Sequence, residues 1–263
     1  MASDETRAGA AARDELRRKL SSAPANWLRD AIDNPELGPA EVLLLLRNSA
    51  APSDLLERIG KDRRLTSHQE VRSGLARHAR TPPSISRNLL SHLFWKDWID
   101  IAVAPAANPI IRRQAERMLL TRLARLSLGE RIALARRATR GLIPGFMDQT
   151  HPRVVRALLE NPRLAELDVV SLAGNVETGP EALECIAMHS NWGARRSVRL
   201  ELIVRAELPA QTGLRLAHQL DPRDQRVLVE DDRVPLVVRV WIERRLGKNP
   251  RARDDSDGAG EWG

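Results

Sequence analysis

The sequence predicts an all-α chain, a right-handed α-solenoid of stacked helical hairpins with an internal tandem duplication. Three observations predict it. Residues 34–119 fall on 161–246 without a gap when the chain is displaced by 127 positions. Apolar residues recur at helical i, i+3/i+4 spacing, and no stretch sustains period-two alternation. The composition is aliphatic: 42% hydrophobic but 3% aromatic, with no Tyr and two Phe. Such a core suits close-packed helices and does not suit a β-sandwich. Roughly twenty identities support the displacement, and internal repetition fixes architecture before anything else does. Among them, Asn34-Pro35 meets Asn161-Pro162, and Val42, Leu45 and Asn48 meet Val169, Leu172 and Asn175. Leu56-Glu57 and Ile59 meet Leu183-Glu184 and Ile186, and Val71-Arg72 and Leu75 meet Val198-Arg199 and Leu202. Asp97, Arg112 and Glu116-Arg117 meet Asp224, Arg239 and Glu243-Arg244.

Taken in order, residues 1–12 are small and polar and are expected to be disordered. A single continuous stack is expected over 13–247. Copy one covers about 26–125 and copy two about 151–247, with six helices expected in each. Proline opens helix after helix: Pro39, Pro52, Pro82-Pro83, Pro109, Pro152, Pro180, Pro209, Pro222 and Pro235. At the first turn its missing N–H would have had no partner in any case. Ser53, Thr81, Asn108 and Asp221 are candidate N-caps. Val71 and Leu75 mark one apolar face, Ile85, Leu89, Leu90 and Leu93 a second, Ile111, Ala115 and Leu119 a third. Residues 127–140 form a connecting helix with a Ser127/Glu130 capping box. Ala133, Leu134 and Ala138 are expected to face inward there, and Arg131, Arg136 and Arg137 outward. Val234 to Val240 resembles a strand, but its copy-one counterpart is a clean helix, so a helix is predicted. The tail 248–263 is polar and is expected to be disordered.

The Asn-Pro turn, the helix openings Glu70-Val71-Arg72 and Ser197-Val198-Arg199, and the Pro-led helices at Pro82 and Pro209 resemble bacterial HEAT-like and leucine-rich-repeat-variant proteins. The stretch Leu128-Gly129-Glu130-Arg131-Ile132-Ala133-Leu134-Ala135-Arg136 resembles a segment found in them too. The resemblance spans about residues 26–247. It implies an α-solenoid and specifies an activity poorly. Some leucine-rich-repeat-variant proteins carry a four-cysteine iron–sulfur cluster. This chain has one cysteine, Cys185, so no such cluster and no other cofactor is expected.

The single cysteine excludes an intramolecular disulfide. The start carries acids where a signal peptide needs basic residues, and no apolar run approaches the ~18–20 residues of a membrane span, so a cytoplasmic location is expected. His68, His78, His92, His151, His189 and His218 have no zinc-ligand spacing. No Gly-rich phosphate loop, nucleophile elbow or dinucleotide fingerprint occurs. No enzymatic activity is expected on these grounds.

The formal charge of +7, nearly all of it arginine, permits an acidic partner and equally a solvated surface. Arg72/Arg199 and Arg112/Arg239 recur at equivalent places, either as a ladder that grips phosphates or carboxylates or, as the recurrence of Glu57/Glu184 and Asp97/Asp224 favours, as structural partners of an acid or a helix C-terminus of the neighbouring repeat. The partner-binding candidates are Arg112, Arg113, Arg117, Arg131, Arg136 and Arg137 in the central basic stretch, Trp95 and Trp98, and Trp192 with Arg195 and Arg196. The tryptophans differ between the copies while the aliphatic frame persists, as decoration on a scaffold would, so partner contact is one reading; core filling, the commoner fate of Trp, is the other. The expected function is a scaffold for protein–protein interaction. The alternative is nucleic-acid binding: HEAT-like alkylpurine DNA glycosylases use arginines, Trp and Asp on a helical surface, and Trp95-Lys96-Asp97-Trp98 is similar in kind. The partner, the oligomeric state and the curvature of the stack are left open.

Overall fold

The computed structural model describes residues 14–34 and 37–247. The predicted disordered ends lie outside those residues. The chain divides into two compact units, Met1–Ala124 and Arg125–Gly263. Among the described residues every regular element is a helix.

The first unit contains a helical segment at 14–20 (α1), Ala25–Ala31 (α2), Pro39–Leu45 (α3), Ser53–Lys61 (α4) and the single turn Arg63–Thr66 (α5). It continues with Gln69–Arg77 (α6), Pro83–Leu90 (α7), Trp95–Val103 (α8) and Pro109–Arg122 (α9). α6 packs against α3 and α8, α7 packs against α4 and α9, and α6·α7 and α8·α9 form hairpins. These contacts order the unit into two rows, α3–α6–α8 and α4–α7–α9.

The second unit contains Leu128–Arg137 (α10), Pro152–Leu159 (α11), Glu166–Gly174 (α12) and Pro180–Met188 (α13). Arg196–Ile203 (α14), Ala210–His218 (α15), Pro222–Glu230 (α16) and Leu236–Arg245 (α17) complete it. α12 packs on α14, and α11, α13, α15 and α17 follow one another in contact. The displacement of 127 carries α4 onto α13 and α8 onto α16 residue for residue. It carries α2 onto α11 as well, so each copy holds one long helix more than the six expected. α5 has only an irregular turn as its counterpart, at 190–194.

The shared aliphatic residues are the core. Val42/Val169, Leu45/Leu172, Leu56/Leu183, Ile59/Ile186, Val71/Val198 and Leu75/Leu202 are all fully buried. Each such side chain is worth about 1.5–3 kcal/mol of transfer free energy. Helix starts follow the proline signal. Pro39, Pro83, Pro109, Pro152, Pro180 and Pro222 stand in the first turn, and Pro52, Pro82, Pro209 and Pro235 occupy the cap position. Asn108 and Asp221 cap as expected, accepting from Ile110 N and from Arg223 N and Asp224 N at 2.9 Å. Ser53 and Thr81 do not cap. A proline follows Thr81 and takes the cap position, and Thr81 Oγ1 is buried without a hydrogen-bond partner. Ser127 caps α10 with Glu130, whose carboxylate accepts from Ser127 N at 2.9 Å. In α10, Leu134 and Ala138 are buried, but Ala133 is exposed and Ala135 takes the inward place.

The two copies exchange volume where they differ. Gly60 stands directly under Ile85, so a Cβ at Gly60 would collide with Ile85 Cγ2. The second copy has Ala187 and Thr212 at these places, both buried. Gly60→Ala therefore departs from the usual rule that removing a helical glycine stabilises by about 1 kcal/mol. Overpacking of about 1–3 kcal/mol outweighs that gain. Urea unfolding of Gly60→Ala, Ile85→Thr and the double variant should give a favourable coupling of at least ~1 kcal/mol. Additive changes would show that the two positions do not share space.

Candidate functional site

Several of the recurring polar residues are committed to the backbone. Arg72 Nη1 donates to Thr66 O at 3.0 Å, and Arg199 Nε donates to Gly193 O, the equivalent carbonyl, at 2.9 Å. Arg239 Nη2 donates to Asp231 O at 3.1 Å and Val234 O at 3.4 Å. Asn48 Nδ2 reaches Ala23 O and Asn175 Nδ2 reaches Met147 O, each at 2.9 Å. Of the two partners expected for the repeated arginines, the helix end is found: Arg199 Nη1 also reaches Gln219 O at the end of α15 at 3.2 Å, and Asp231 closes α16. Arg239 Nη1 lies 3.5 Å from Asp232, and the repeated acids pair elsewhere. Glu57 pairs with Lys61 at 2.6 Å, Asp97 accepts from Gln69, and Asp224 accepts from Arg196. The Arg196 hydrogen bond holds the Asp224 carboxyl below the usual carboxylate range, against the opposing effect of burial.

The second unit's candidates are similarly engaged. Arg131 is half-buried, with Nη1 on Gln149 Oε1 at 2.8 Å. Its outward placement is therefore corrected. Arg136 and Arg137 are exposed, and Arg136 Nε pairs with Glu160 at 3.1 Å. Arg195 reaches Glu166 at 3.7 Å. Trp192 is 8% exposed, and its Nε1 donates to Leu159 O at 2.9 Å. It fills the place of the buried Leu65 of copy one.

Trp98 lies in the core and is removed from the partner-binding candidates. It has no accessible surface, and its Nε1 donates to Leu90 O at 2.9 Å. Arg122 covers its ring, with the guanidinium carbon 4.8 Å from the ring centroid. The sequence Trp95-Lys96-Asp97-Trp98 thus serves the fold: Asp97 also accepts from Phe94 N at 3.1 Å, closing the start of α8. Trp95 is half-exposed, with Lys96 Nζ 5.9 Å from its ring.

Two surfaces of the first unit remain. On α7 and α9, Arg87, Arg113 and Arg117 surround a depression of about 430 Å³ with Ile110 and Gln114. All three arginines are exposed, and among the described residues none makes a hydrogen bond or ion pair. Ile110 beside them is 54% exposed. Arg112 faces elsewhere: it is half-buried, and its Nε lies in the interior without a partner. In the second unit Leu214, Val237 and Val240 stand at the places of Arg87, Ile110 and Arg113. The other surface is a groove of about 650 Å³ on the α3–α6–α8 row, with Leu46, Arg47, Gln69, Gly74, Arg77 and Asp97 in its walls.

The sequence reading missed Arg87, Arg205 and the groove. The repeat alignment carried signals for each: Leu214 opposite Arg87, His78 opposite Arg205, and Gly74 opposite Glu201. His78, His151 and His189 use ring nitrogens on backbone groups. Cys185 Sγ lies 3.7 Å from Arg156 Nη2. Among the described residues no three His, Cys, Asp or Glu side chains gather as a metal-binding group, and no helix is long and apolar enough to cross a membrane. Comparison with known proteins gives no match to a family model, a curated protein or a solved structure.

Proposed function

We propose that the protein is a non-enzymatic scaffold of HEAT-like helical hairpins, each unit a right-handed stack, which binds a protein partner on the α7/α9 face of its first unit. The observation that carries this reading is the cluster of three unpaired guanidiniums, Arg87, Arg113 and Arg117, around the exposed Ile110. Arginine beside exposed aliphatic surface is the composition of a protein interface core, where lysine and acids are scarce. The rows α3–α6–α8 and α4–α7–α9 support the hairpin-stack reading, because neighbours in such a stack bury one another's apolar faces and leave an extended surface for a partner.

The same guanidiniums favour a second reading, binding of nucleic-acid phosphates. Ile110 and the 38%-exposed Leu120 on the same helix offer phosphates nothing, which places this reading second. The test uses the tagged full chain and the variant Arg113→Glu/Arg117→Glu. A discrete protein should co-purify with the wild type, and its recovery should fall at least about tenfold with the variant at an unchanged melting temperature. A labelled DNA duplex should not bind at low salt. Unchanged recovery, or duplex binding that weakens steeply with salt and whose slope shrinks in the variant, would overturn the protein-scaffold reading.

A further inference from the structure

We infer that the groove on the α3–α6–α8 row holds an acidic peptide segment in extended form, at a site distinct from the α7/α9 face. The internal repeat explains why the groove exists. Ser73 and Gly74 form its floor, where the second copy carries Leu200 and Glu201. There the Glu201 carboxylate lies 2.8 Å from the place a Cβ on Gly174 would occupy, so it covers the C-terminal end of α12. Gly174 is the counterpart of Arg47. The first copy thus removes the covering carboxylate and places a guanidinium beside the space. Gly74 sits within α6, where glycine is worse than alanine by about 1 kcal/mol. A Cβ there would approach Leu46 Cδ1 to 2.8 Å and narrow the groove. The resulting volume of about 650 Å³ falls in the range of ligand-binding clefts.

The chemistry of the walls selects the ligand. Arg47 and Arg77 are exposed, and among the described residues neither has a hydrogen-bond or ion-pair partner. They call for two carboxylates. Glu70 and Ser73 are likewise without a partner and can accept N–H groups. Gln69 and Asp97 are bonded to each other. His78 adds no positive charge. Burial pushes its pKa down, Nε2 lies 3.2 Å from Asn48 O, and Nδ1 accepts from Arg80 N. Leu43, Leu46 and Pro105 supply apolar wall between the charged groups. A peptide offers all three complements: side-chain carboxylates, backbone N–H donors and aliphatic side chains. A phosphate backbone offers acceptors alone and leaves Glu70 without a donor.

The experiment pans a displayed library of random short peptides on the full chain, then measures the affinity of the most enriched peptide after synthesis. The peptide should carry at least two Asp or Glu residues. Its Kd should rise at least about tenfold with Arg47→Glu and with Arg77→Glu, and with Ser73→Leu, which restores the second copy's side chain. Arg113→Glu/Arg117→Glu should leave it unchanged, so the groove is tested independently of the α7/α9 face. Arg47 and Arg77 are exposed, so their reversal leaves the core intact, and thermal melts of each variant verify this. Three results would overturn the inference: no peptide enriched over panning on Arg47→Glu/Arg77→Glu, equal affinity for the wild type and both charge reversals, or displacement of the peptide by duplex DNA.

Discussion

Arg205→Ala is expected to destabilise the second unit by about 3–5 kcal/mol, a larger loss than any exposed ion pair could cause. The side chain is 9% exposed. Nη1 donates to Ala173 O and, at 2.7 Å, to Asn175 O, while Nη2 lies 3.3 Å from Thr178 O. Nε reaches Glu207 at 3.2 Å. The guanidinium therefore gathers carbonyls at the end of α12 and in the turn to α13, groups that have no partner within a helix. Hydrogen bonds from a charged donor contribute about 1.5–3 kcal/mol each and are not additive. Removing the cation leaves Ala173 O and Thr178 O without a donor at once, while Asn175 O keeps the Thr178 N–H at 2.9 Å. Arg205→His places in the second copy the residue that the first copy has, since His78 reaches Asn48 O at 3.2 Å from the equivalent position. One contact is recovered and the others are not, so this variant should fall between alanine and wild type. Thermal melting read through tryptophan fluorescence should show a fall of about 10 °C for alanine. A second readout is local: the Glu207 carboxyl, held below the usual carboxylate range by its own backbone N–H and then by Arg205, should titrate higher in both variants. A melting temperature within a degree or two of wild type would show that water satisfies those carbonyls without the guanidinium.

Arg205 also shows where the sequence stops being legible. An isolated arginine in an Arg-rich chain carries no mark of burial, because burial depends on which carbonyls a turn brings together. The displacement aligns it with His78, but only the folded chain brings both side chains to equivalent carbonyls, Asn48 O and Asn175 O. The helical frame was far more legible. Proline punctuation, aliphatic periodicity and the displacement of 127 are local or one-dimensional signals, and they placed most helices, including α17 over an apparently strand-like run. Thr81 misled because a proline pair after it moved the cap by one residue. The candidate surfaces were least legible. Arg113 and Arg117 were identified from charge density, yet Arg131, Arg136, Arg195 and Arg196 have the same sequence signature and are bonded within the second unit. Whether an arginine is free depends on the acids and amides that tertiary packing brings within reach.

Trp98 tests the choice between partner contact and core filling for the copy-specific tryptophans. Trp98→Ala is expected to cost the first unit about 3–5 kcal/mol, the range for emptying an aromatic core site. The ring is fully buried, and its removal also takes one of two donors from Leu90 O, the other being Leu93 N at 3.2 Å. The second copy solves the same position differently: Gln225 is 1% exposed, and its Nε2 donates to Ala217 O, the equivalent of Leu90 O, at 2.9 Å. A carbonyl at the end of the preceding helix thus takes a side-chain donor in both copies, beside the backbone N–H of Leu93 or Leu220, and either an indole or an amide supplies it. Trp98→Gln should keep that bond and lose only ring packing, leaving it about 1 kcal/mol more stable than Trp98→Ala. Arg122→Ala should cost less than either, about 0.5–1 kcal/mol, because it removes only the cation over the ring. Urea unfolding of the three variants separates these contributions. A partner-contacting tryptophan would give the opposite pattern: stability within 1 kcal/mol of wild type on alanine substitution, with loss of the co-purifying protein. The expected ranking, alanine worst, glutamine intermediate and Arg122→Ala mildest, would assign Trp98 to the frame and leave Trp95 as the half-exposed tryptophan of α8 able to meet a partner.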